Sequence, residues 1–172
     1  TRARDSPLAS ASALSRRPPE PLDAGMVPVM ISLADMLWPC AMRLEVTSEA
    51  LAAMRAAAAA AHPREACGIL LGEGARILEA RLAANVHPSP ETHFEIDPQA
   101  LIDAHRAARA GAAAVAGYFH SHPSGAAVPS ATDRACAAGD GRIWAILAGE
   151  DVRFWRDGEA GFTALSFTMI DG

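Results

Sequence analysis

The sequence predicts a layered α/β domain, and three observations carry that expectation. Short apolar runs recur at residues 67–71, 113–119 and 143–147. Helix-forming stretches with their own start signals alternate with them. Gly and Pro punctuate the joints between them. Strands that alternate with helices bury their apolar faces best as a sheet covered by helices.

Each element follows from local chemistry. Residues 43–46 (Arg-Leu-Glu-Val) alternate polar and apolar, the period of a half-buried strand. Thr47 is a suitable N-cap, and Glu49 places a negative charge in the first helical turn. Residues 48–61 are rich in Ala, the strongest helix former, and the helix is expected to end at His62-Pro63. Residues 67–71 read as a buried strand, Gly72-Glu73-Gly74 as a turn, and residues 77–86 as the returning partner. A Pro-containing loop at 87–91 leads to Phe94-Glu95-Ile96. Asp97 then caps a second helix, with Pro98 at its first position and Gly111 beyond its end. Residues 113–119 form the next buried strand, a short helix starts near Ser130, and residues 143–147 are a further strand. Residues 152–155 and 162–167 are expected to close the fold as a hairpin around Asp157-Gly158.

Residues 1–41 read differently. Arg2, Arg4, Arg16 and Arg17 stand among Ser, Ala and Pro without a hydrophobic period, so this part is expected to be a disordered extension, or sequence upstream of a start at Met42. The apolar stretch 27–37 is broken by Pro28 and Asp35, which argues against an export signal. The folded domain is therefore expected at 42–172.

Composition narrows the function. Hydrophobic residues make up 51% and charged residues 20%, the balance of an ordinary globular protein. With 15 Lys and Arg against 20 Asp and Glu, the net charge is −5, so a general nucleic-acid binder is not expected. No apolar run approaches the roughly 20 residues a membrane span needs. Three cysteines, Cys40, Cys67 and Cys136, give no disulfide framework and suit a cytoplasmic protein. Cys67 and Cys136 are expected in the core, as are Trp144 and Trp155. Asn85 is a candidate for the substrate groove.

The chemistry concentrates in residues 117–133. His120 and His122 stand two apart at the end of a strand, so their imidazoles share a face. Pro123 stops the ladder beyond them. Asp133 can add an oxygen ligand from the first turn of the next helix. Three protein ligands and a water describe a catalytic zinc site, whereas a structural site has four protein ligands. Such an ion polarises a carbonyl and acidifies its water. Glu65, just ahead of a buried strand, is placed to carry a proton between that water and a leaving amine. Ser130-Ala-Thr-Asp133 is also a helix capping box, and both readings can hold together.

These residues resemble the JAMM, or MPN-plus, metalloproteases, in particular their short bacterial members. The family pattern of a distant Glu, His-x-His-Pro and Ser-x-x-Asp is met by Glu65, His120-Ser121-His122-Pro123 and Ser130-Ala-Thr-Asp133, with seven residues between His122 and Ser130. Residues 65–72 and 94–98 share its flavour, and the likeness covers roughly 43–170. It implies a three-layer α/β/α, cytidine-deaminase-like domain with a mixed central sheet, and one zinc ion per chain on His120, His122 and Asp133. It implies Glu65 as general acid/base and Ser130 as a stabiliser of the oxyanion. It also implies hydrolysis of peptide or isopeptide bonds, after the C-terminal Gly-Gly of a small ubiquitin-like or sulfur-carrier protein. Two other readings stand beside it: a non-catalytic scaffold like the metal-free MPN relatives, and a DNA-associated protein like the RadC type.

Overall fold

The computed structural model describes residues 43–172. Residues 1–42, with Trp38, Cys40 and Met42, lie outside the described residues. Within them the chain forms β1 (Leu44–Thr47), α1 (Ser48–Ala61), β2 (Cys67–Glu73), β3 (Arg76–Ala83), α2 (Pro98–Arg109) and β4 (Ala114–Ser121). It continues with α3 (Ala131–Cys136), β5 (Ile143–Ala148), β6 (Asp151–Gly158), β7 (Gly161–Leu165) and β8 (Phe167–Ile170).

All eight strands join one mixed sheet in the order β7-β6-β5-β4-β2-β3-β1-β8. Strand β1 runs parallel to β3 and β8, and β4 parallel to β5; the other neighbours are antiparallel. The α/β class and the mixed sheet agree with the sequence.

The helices form for the reasons expected. Thr47 Oγ1 accepts the Ala50 N–H, and Asp97 accepts the Gln99 N–H, so each helix start is capped. Helix α1 buries Ala50, Leu51, Met54 and Ala57, a one-sided stripe that packs with Leu44, Val46, Leu70, Phe119, Leu147 and Phe154. On the other face of β2, Cys67, Ile69 and Leu71 pack with Ala104 of α2, Ile96 and Tyr118. Neighbouring residues of β2 thus serve opposite faces, as the pleat requires. Gly68 is where this packing leaves no room: a Cβ there would lie 2.3 Å from the Phe119 ring.

Three details differ from the expectation. The hairpin turn falls at residues 159–160, because Asp157 and Gly158 pair with Phe162 and Gly161 inside the ladder. Phe167 does not close that hairpin. It opens β8, which crosses to the far edge and pairs with β1, Leu44 opposite Phe167. Strand β3 also ends at Ala83, three residues earlier than read, and the chain beyond it makes an isolated bridge, Asn85 to Ile96.

Candidate metal centre

Strand β4 sets one imidazole inside the sheet and one at its mouth. His120 is paired between Cys67 of β2 and Ile146 of β5, and is 0% exposed. His122 lies one residue past the strand, and its N–H donates to the Leu147 carbonyl at 2.7 Å, so the ladder still holds it. The two Nε2 atoms are 3.0 Å apart. The His120 ring stacks on Phe94, with centroids 4.3 Å apart, and meets the edge of Trp144. Its Nδ1 is buried with no hydrogen-bond partner among the described residues, so Nε2 is the nitrogen that faces polar groups. His122 is fixed from behind: Nδ1–H donates to the Ala126 carbonyl at 2.8 Å, which turns Nε2 toward His120 and Asp133.

Helix α3 delivers the third group. The Ser130 hydroxyl accepts the Asp133 N–H at 3.1 Å, and Asp133 Oδ2 accepts the Ser130 N–H at 2.6 Å. The capping box is complete. The same carboxylate puts Oδ1 3.2 Å from His120 Nε2 and Oδ2 3.4 Å from His122 Nε2. The cap and the reach toward both imidazoles therefore coexist.

These three side chains suit a metal ion. Each offers one ligand atom, and those atoms lie within 4.8 Å of one another. Two imidazole nitrogens and one carboxylate oxygen are a donor set that zinc accepts. The two imidazole nitrogens lie 3.0 Å apart, and each faces a different oxygen of the Asp133 carboxylate, at 3.2 and 3.4 Å.

The charges fit the same picture. Burial works against an ionised Asp133, but its hydrogen bonds to His120 and His122 win and hold it well below the usual carboxylate range. The bond to Asp133 raises His122, whereas burial lowers His120. Glu65 is 7% exposed. Burial pushes its carboxyl up to about 7; His122 opposes that shift and the charge of Asp133 adds to it. A carboxyl that titrates near neutrality can both take and give a proton.

Glu65, His122, Ser130 and Asp133 share one cleft of about 360 Å³. Phe94, Leu101, Tyr118 and Trp144 give the same cleft an apolar wall. All five residues expected at the site from the sequence thus come together, with His120 directly behind His122. The aromatic wall was not foreseen. Phe94 belongs to a short motif in the sequence, and nothing in its spacing announces a ring stacked on His120.

Three expectations, those for Cys136, Asn85 and Trp155, fail here. Cys136 is not core but exposed, and it lines the cleft. Helix α3 has six residues and buries only Asp133 among them; it is too short to present a packed face. Asn85 does not line this cleft: its side chain is consumed by four main-chain hydrogen bonds. Cys67 is buried as expected, its thiol pushed up to about 12 by burial and by Glu65. Trp144 is buried. Trp155 is half-buried, and its Nε1–H donates to the Ala127 carbonyl at 3.3 Å, steadying the loop between His122 and Ser130.

Comparison with known proteins agrees with this geometry. A family model of prokaryotic homologs of the JAB domain matches residues 47–158. Desampylase of Haloferax volcanii is 34% identical over 112 residues, which cover 62% of this chain and 81% of that protein. A probable TtuB-protein conjugate cleaving protease of Thermus thermophilus is 40% identical over 72 residues, 41% of this chain and 47% of that one. The solution structure of a Desulfitobacterium hafniense protein superposes with a TM-score of 0.66 at 26% identity, covering 74% of this chain and 93% of the other. With its His-His-Asp triad in place, the chain belongs to the prokaryotic JAB family, a branch of the JAMM/MPN-plus zinc metalloproteases.

Proposed function

We propose that this protein is a zinc-dependent isopeptidase that releases a small ubiquitin-like or sulfur-carrier protein from its conjugates by cleaving after a C-terminal Gly-Gly. The observation that carries the reading is the cluster of His120, His122 and Asp133, with Glu65 lining the same cleft as His122 and Asp133. The names of the relatives, a desampylase and a conjugate-cleaving protease, support the substrate class. We read the domain as residues 42–172 following a leader at 1–41. We read its sheet, with α1 and α2 on opposite faces, as the three-layer cytidine-deaminase-like arrangement.

His120, His122 and Asp133 would hold one zinc ion. That ion supplies a Lewis acid for the scissile carbonyl and lowers the pKa of water. The chain's own residues do the rest. The Glu65 carboxylate takes a proton from the attacking water. It then hands that proton to the nitrogen of the departing amine as the C–N bond breaks. Ser130 Oγ already accepts the Asp133 N–H, so its own hydrogen is free to be donated to the oxyanion.

The test is incubation of the protein with a panel of Gly-Gly-ended carrier conjugates, wild type beside Glu65→Gln, read by intact mass. The reading expects a mass loss matching cleavage after Gly-Gly in the wild type and none in the variant. Equal cleavage by both, or by neither, contradicts it.

A further inference from the structure

Glu65 has no helix or strand of its own; it stands two residues ahead of β2. Its place is set by three main-chain hydrogen bonds. The Glu65 N–H donates to the Pro90 carbonyl at 2.7 Å. The peptide that follows is gripped at both ends. On one side, Asn85 Nδ2 donates to the Glu65 carbonyl at 3.0 Å. On the other, the Ala66 N–H donates to Ser121 Oγ at 2.8 Å. Ser121 also donates its own N–H to the Ala66 carbonyl at 2.9 Å. Ser121 is the residue between the two histidines and is itself buried.

Asn85 is fully used. Nδ2 gives its second proton to the His93 carbonyl at 3.0 Å, and Oδ1 accepts the N–H groups of His87 and Glu95, each at 3.1 Å. That is the whole capacity of a carboxamide. A flipped amide would set oxygen against two carbonyls, so the network fixes its orientation. Asn85 therefore ties the Glu65 main chain to the segment that carries Phe94, the ring stacked on His120.

We propose that Ser121 and Asn85 are positioning residues: they hold opposite ends of the Glu65–Ala66 peptide and so set where the Glu65 carboxylate stands relative to His120, His122 and Asp133. Ser121 ties that peptide to the strand bearing the imidazoles, and Asn85 ties it to the wall of the cleft. The serine inside His-Ser-His is then more than a spacer. This inference rests on the reading of Glu65 as the proton carrier.

The experiment compares zinc-loaded full-length Ser121→Ala, Asn85→Ala, their double variant, Ser121→Thr and Asn85→Asp on the same carrier conjugate. Each alanine variant is expected to lower kcat about 10- to 100-fold, the scale of a misplaced catalytic group, with KM and zinc content held. Ser121→Thr, which keeps the hydroxyl, recovers activity. Asn85→Asp keeps both acceptor bonds but has no proton for the Glu65 carbonyl, so it falls with Asn85→Ala. The double variant loses less than the product of the singles, because both act on one peptide. The proposal is overturned by an unchanged kcat in either alanine variant, by loss of zinc in step with activity, or by Ser121→Thr as impaired as Ser121→Ala. If an alanine variant does not fold, the nearly isosteric Asn85→Asp decides the matter through the same kcat and KM readout. Wild type inactive on every conjugate defeats the functional reading alone. Amide exchange at Ala66 then decides the brace: faster exchange in Ser121→Ala and Asn85→Ala supports it, and unchanged exchange overturns it.

Discussion

The two faces of the sheet are cut from the same strands yet hold different kinds of residue. Under α1 lies a dry core of Leu44, Val46, Met54, Leu70, Phe119, Leu147 and Phe154, apolar throughout. Under α2 the apolar core is smaller, and its neighbour is a cleft that holds Glu65 and Asp133 almost out of water, with His120 fully buried behind His122. Burying a charge or polar group is costly unless it is paired. Asp133 meets both imidazoles and a main-chain N–H, and Glu65 responds by titrating near neutrality. One face therefore secures the fold, and the other spends part of that stability on holding reactive groups in place. Strand β4 links them: Phe119 enters the dry core while His120, the next residue, enters the site.

If the faces divide the work this way, variants should separate activity from stability. The largest effect is expected from Glu65→Gln. General acid–base catalysis contributes roughly 10²–10⁴-fold, so conjugate cleavage should fall by at least that range, while zinc content and melting temperature hold. Removing a ligand, as in His122→Ala, should abolish stoichiometric zinc as well as activity, measured by metal analysis after dialysis. On the other face, Met54→Ala should cost about 2–5 kcal/mol in urea unfolding, yet the folded fraction should still take one zinc and cleave at the wild-type rate.

Smaller effects sharpen the boundary. Ser130→Ala removes the cap and the hydroxyl together. It should cost about 0.5–2 kcal/mol of stability and also slow cleavage, because this residue belongs to both structure and site. The raised carboxyl of Glu65 gives a pH signature. In the chelated protein the folded state holds a proton at Glu65 from the ordinary value of 4.5 up to about 7, where the unfolded chain has released it. Stability from this group is therefore full below pH 4.5 and declines as pH rises through that window. The wild type minus Glu65→Gln difference in unfolding free energy should show that decline, together with the smaller change at His122 that follows from losing the charge of Glu65.

Much of this was legible from the chain alone. Capping residues fixed the starts of α1 and α2 because those interactions are local, and alternation placed His120 and His122 on one face. Asp133 was legible in both its roles because a capping box and a ligand position share one spacing. What was not legible is long-range. Phe167 looked like the end of a nearby hairpin, but pairing with β1 depends on a sheet edge left open more than a hundred residues earlier. Cys136 looked like core because periodicity assumes a helix long enough to be packed. Asn85 looked like a groove residue because its polarity was visible, whereas its four main-chain partners were not.

The central claim is that one divalent ion sits where β4 and α3 meet. A crystal of the zinc-loaded protein, with anomalous difference maps on both sides of the zinc absorption edge, tests it most directly. One peak per chain is expected, at bonding distance from His120 Nε2, His122 Nε2 and an Asp133 carboxylate oxygen. A peak bound elsewhere, or a cleft that stays empty at saturating zinc, would contradict it.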